Sequence, residues 1–94
     1  MAENPGEKAR KYLTSIGTVL SEIRISKTSY NIDEESIRSI VESAESYVED
    51  ARHYLEDRPL TALAAVSYAE GLLDALRLLG AAQFTWPGTR GDKY

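Results

Sequence analysis

Residues 56–80 read EDRPLTALAAVSYAEGLLDALRLLG, with Pro59 near the start and Gly80 at the end. Proline has no backbone N–H and is accepted only in the first turn of a helix, so a helix begins at Pro59 and the preceding one ends by Asp57. Gly80 occupies the place of a left-handed C-cap residue, which closes this helix at Leu79. A link this short between two helices forces an antiparallel hairpin.

Upstream, Asp33 is the expected N-cap of the partner helix. Its carboxylate can accept free backbone N–H groups of the first turn, Glu34 and Glu35 suit the positive end of the helix dipole, and Ile32 can staple onto Ile37. Ile37, Ile40, Val41, Ala44, Tyr47, Val48, Ala51, Tyr54 and Leu55 then form one apolar stripe, with the charges on the other side. Further back, Ala9, Tyr12, Leu13, Ile16, Val19, Leu20 and Ile23 fall on one narrow side of a wheel turned by ~100° per residue. Pro5 and Gly6 precede that first helix, and the polar run Ser26–Asn31 follows it. The expected fold is all-α: an antiparallel three-helix bundle with helices at about 7–24, 33–57 and 59–79. The bundle domain spans 1–80, and 81–94 form an irregular tail, flexible or docked. In the tail Phe84 and Trp86 are the large apolar residues, and docking is the favoured reading.

At 94 residues the chain suits one domain. Hydrophobic residues at 43% and charged residues at 28% place it among soluble packed proteins. It has no cysteine and one histidine, which removes disulfide frameworks, thiolate zinc sites, cysteine nucleophiles and iron–sulfur clusters. The net charge of −4 is unevenly spread: +2 over residues 1–30, −7 over 31–57 and +1 over 58–94. No segment supplies the basic stripe needed to displace counterions from nucleic acid. The stretch Leu60–Ala82 holds Glu70, Asp74 and Arg77, which argues against a membrane span, and the N-terminus lacks the apolar run of a signal peptide. The expected location is cytoplasmic.

The third helix carries more apolar surface than a bundle requires. Ala62, Ala65, Val66, Ala69, Leu72, Leu73, Leu76 and Leu79 make the expected core face. A second row, Ala64, Tyr68, Gly71, Ala75 and Leu78, repeats at the 4-3-4-3 rhythm of a helix–helix seam. Three readings account for it: the helix is central and touches both neighbours, the row meets a second subunit or partner helix, or a ligand lies against Gly71. Glycine in mid-helix costs about 1 kcal/mol relative to alanine, which points to a packing reason.

Chemical signals are sparse. Asp50 and His53 have the i, i+3 spacing of di-iron bundle ligands, but they face away from Ile37 and Ala44 and no second histidine exists, so His53 reads as solvated. Glu70 and Asp74 share a face one turn apart, with Arg77 placed to pair with Asp74. A surface ion pair is the ordinary outcome; together with Tyr68 these residues form the candidate ligand or polar site. Glu42, Glu45, Glu49, Glu56 and Asp57 read as a solvated acidic face or a docking surface for a basic partner. No catalytic residue, metal ligand or cofactor-binding motif is assigned.

The run from Ala64 to Gly80, with Tyr68, Glu70, Gly71, Leu72, Leu73 and Asp74 at its centre, resembles the signature of an archaeal family known as domain of unknown function 357. Ala51, Tyr54, Leu55, Thr61 and Ala62 resemble it too, so the likeness covers most of residues 8–80. It implies a compact helical bundle without an assigned activity, and some relatives carry the domain beside a nucleotidyltransferase domain. The reading of the whole chain is an interaction or oligomerisation module and not an enzyme. A homo-oligomer is expected, with a dimer favoured and a different protein partner next. The alternative is a small-molecule or nucleotide-binding accessory domain with Tyr68, Glu70 and Asp74 at its site.

Overall fold

The computed structural model describes residues 4–25 and 33–87, and three helices make up most of them. In chain order they are α1 (Pro5–Glu22), the short strand β1 (Arg24–Ile25), α2 (Glu34–Tyr54), α3 (Pro59–Leu78) and the short strand β2 (Ala82–Gln83). The Ser26–Asn31 loop, the staple of Ile32 on Ile37, and residues 88–94 of the tail lie outside the described residues.

Each helix end has a local cause. Asn4 caps α1: its Oδ1 accepts the Glu7 N–H at 2.8 Å while its Nδ2 donates to Glu7 Oε1 at 2.6 Å. Pro5 and Gly6 therefore lie inside the first turn and not before it. Asp33 caps α2 as expected, its Oδ1 accepting the Ser36 N–H at 2.7 Å, and this hydrogen bond holds its carboxyl below the ordinary range. The helix stops at Tyr54 and not at Asp57, because the chain tightens: Leu55 N–H turns to Arg52 O at 3.5 Å and Arg58 N–H to Tyr54 O at 2.8 Å. Pro59 then opens α3 without any side-chain cap. At its far end Gly80 has φ +76°, Gly80 N–H donates to Arg77 O at 3.0 Å and Ala81 N–H to Leu76 O at 2.9 Å. This pair of bonds is a Schellman motif, which needs a left-handed residue and reverses the chain.

α3 is the central helix, packed against both α1 and α2, which touch each other little. Ala62, Val66, Ala69 and Leu73 meet Leu13, Ile16 and Val19 from α1 and Ala44, Val48 and Ala51 from α2. Alanine at so many interior positions lets the helix backbones approach closely. A smaller cluster of Ile37, Leu76, Ala81 and Ala82 seals one end. There the segment expected to be irregular forms a strand: Arg24 pairs with Gln83 and Ile25 with Ala82, antiparallel. The first helix accordingly ends at Glu22, two residues short of its sequence boundary, because Ile23 turns extended and leads into β1. The reversed chain also packs Trp86 into the main core, where it is 5% exposed.

Two residues assigned to core stripes lie elsewhere. Leu79 falls past the last turn of α3 and is exposed, and Tyr47 stands at the rim of α2. Among the described residues no helix is long and apolar enough to cross a membrane.

Candidate functional site

With α3 held on two sides by α1 and α2, its third side faces out. The second row lies there: Ala64, Tyr68, Gly71, Ala75 and Leu78 are all exposed, and Leu60 extends the row by one turn. The core face alone suffices to touch both neighbours, so the reading in which the central position of α3 uses up the second row does not hold. Tyr68 is 54% exposed and Leu60 and Leu78 are each 70% exposed. Tyr68 leans toward α2, its ring 4.6 Å from that of Tyr47 at 60°, so the apolar surface continues across the helix boundary. An added methyl at Gly71 would meet nothing within 4 Å, so no contact inside the described chain requires glycine there.

The charges of α3 are distributed against expectation. Glu70, Asp74 and Arg77 are half-buried, whereas every exposed position of the helix is uncharged. A solvent-facing stripe of a surface helix ordinarily carries the charges. Here they are drawn off that stripe, Asp74 and Arg77 to the side where the tail packs. Asp74 Oδ1 accepts from Arg77 Nε at 2.9 Å, as the spacing implied, and also from Trp86 Nε1 at 2.9 Å. The pair is not the exposed ion pair expected of it: the Asp74 side chain is 13% exposed. Sequence reasoning missed Trp86 as a partner, since twelve residues and the reversal at Gly80 separate it from Asp74. Glu70 lies one turn earlier, with its Oε2 out of contact with solvent.

Of two depressions in the surface, only the first borders these residues. The first, of about 370 Å³, runs along the edge of the exposed row and is lined by Ser67, Glu70, Gly71, Asp74, Ala75 and Leu78. It is the place a small-molecule reading would need, yet its Asp74 already accepts two hydrogen bonds. The other, of about 480 Å³, lies between Ile23–Ile25 and the Arg38 and Glu42 side of α2. His53 and Asp50 are both exposed on the outer side of α2, and the imidazole packs edge-on to Tyr54 with centroids 4.8 Å apart. Among the described residues no group of three or more His, Asp or Glu side chains converges in a way that could hold a metal ion.

The architecture is that of a small all-α protein built on one central helix, two sides covered and one side open. The chain belongs to the family described as protein of unknown function (DUF357), whose model matches residues 11–82. The match takes in all of α2 and α3 and the last two thirds of α1, and ends at Ala82, so Trp86 lies outside it. No curated protein matches the chain, and no solved structure does.

Proposed function

We propose that this chain is an association module that assembles into a homo-oligomer through the open face of α3 and carries no reaction of its own. The observation that supports this is the charge inversion along α3: uncharged where it meets water, charged where it is half-buried. Exposed leucine and tyrosine lose free energy of hydration only if a partner covers them, at about 25 cal/mol per Å² removed from water. A contiguous exposed apolar patch of this kind marks a contact surface. Gly71 adds to the reading, because its cost in helix stability is offset by nothing within the described chain.

Sedimentation velocity over a concentration series tests it. The chain mass is 10.4 kDa, so a dimer is easily told from a monomer. The expected outcome is a mass rising with concentration for the natural sequence, and a monomer for Leu78→Glu with an unchanged helical signature. A monomer for the natural sequence at about 0.5 mM, where even a weak interface is populated, would refute the proposal.

A further inference from the structure

We infer that the occupant of the α3 face is a second copy of this chain in antiparallel register, with Tyr68 of each copy seated over Gly71 of the other; this rests on the association proposed above. The exposed row runs Leu60, Ala64, Tyr68, Gly71, Ala75, Leu78. Laid against itself in reverse, it places Leu60 opposite Leu78, Ala64 opposite Ala75, and Tyr68 opposite Gly71. Levels agree to within one residue, about 1.5 Å of helix rise. Large meets small at the centre, small meets small on either side, and leucine meets leucine at both ends. Such a surface is self-complementary, as a two-fold interface requires. The knob is Tyr68, and its hole is the set i, i+3, i+4, i+7 formed by Tyr68, Gly71, Leu72 and Ala75. A parallel two-fold would instead oppose Tyr68 to Tyr68 and leave the space over Gly71 empty.

The area suffices for such a contact. Among the described residues Tyr47, Leu60, Tyr68, Leu78 and Leu79 are the exposed large apolar ones, all on or beside this face. At roughly 100 Å² each they give roughly 1,000 Å² for the pair of faces, the lower limit for a specific interface. The dimer is therefore a weak one. The net charge of −4 per chain makes the two copies repel at long range, so added salt strengthens association by screening.

The chain has no cysteine, which makes single-cysteine variants unambiguous. Ala64→Cys and Ala75→Cys are both exposed substitutions that leave the core untouched. In the inferred register a mixture of the two forms an intermolecular disulfide at least about tenfold faster than either alone, because only the mixed pair brings Cα atoms within ~7 Å. A second arm is Gly71→Gln: the new side chain enters open space, so the melt holds or rises, while dimer affinity falls at least about tenfold. Rapid disulfide formation by Ala64→Cys alone, or an unchanged affinity for Gly71→Gln, overturns the register while a dimeric mass leaves the association reading standing. A monomeric mass for the natural sequence overturns both.

Discussion

Trp86→Ala is the substitution that most directly measures what the reversed tail contributes. The indole is 5% exposed, packs edge-on to Phe84 with centroids 5.1 Å apart, and donates from Nε1 to Asp74. An aromatic ring of this kind buries 150–250 Å², so at ~25 cal/mol per Å² its removal forfeits about 5 kcal/mol gross. Freeing position 86 and Thr85 from their fixed conformations returns about 2–3 kcal/mol of chain entropy. The net loss is then about 2–3 kcal/mol. For a domain of this size each kcal/mol shifts the melting temperature by about 4–8 °C, which places the expected drop at roughly 10–20 °C. Circular dichroism at 222 nm is the assay, since the substitution removes the only tryptophan. Trp86→Phe keeps the ring burial and loses the N–H donor, and should cost about 1 kcal/mol. A melt for Trp86→Ala within about 4 °C of the natural sequence would refute the account of the tail as a packed part of the bundle.

Further outcomes follow from the same contacts. Leu73→Ala removes a fully buried side chain at the middle of the core and should cost about 2–5 kcal/mol by chemical denaturation. Asp74→Asn keeps an oxygen acceptor for Trp86 Nε1 but removes the charge facing Arg77, and should lower the melt by less than Trp86→Ala does. The Asp33 carboxyl is held below its ordinary range by the Ser36 N–H. The stability it contributes is therefore present above the ordinary carboxylate pKa and is lost as pH falls through the lowered one. Asp33→Asn, which retains a capping oxygen, should flatten that acid limb in a melt-versus-pH series. Glu56→Gln breaks the Arg10–Glu56 pair, 2.8 Å across but exposed on both sides, and should change stability by less than about 1 kcal/mol.

How much of this was legible in the sequence depends on range along the chain. Asp33, Pro59 and Gly80 act within one helical turn, so caps, breaks and the hairpin could be read directly. The apolar periods of α1 and α2 identified their buried faces, because a face is a local repeat. The boundaries at Glu22 and Tyr54 were less accessible, since β1 displaces the first and a tight turn the second. β1 and β2 are two residues each and pair across the whole α2–α3 hairpin, so neither carries a periodic signal of its own. The second row of α3 was visible as a pattern. Its exposure was not, because that depends on where α1 and α2 pack around the central helix. Trp86 stood out as apolar, but its bond to Asp74 exists only after Gly80 turns the chain back.

The β1–β2 clasp also bears on the order in which the bundle is assembled. It joins residues 24–25 to 82–83, the widest sequence separation of any pairing described, whereas α2 and α3 are joined by a link of four residues. Closing a long loop costs more chain entropy than closing a short one, and contacts at large separation are rewarded only after that cost is met. The α2–α3 hairpin is thus the natural nucleus, α1 joins it next, and the clasp with Trp86 is sealed last. Read in reverse, the clasp is the first element to open, and its opening bares Ile37 and Leu76 while the helices still hold together. The amide protons bonded across the β1–β2 pairing therefore exchange through this partial opening, ahead of those in the middle of α3, which report global unfolding.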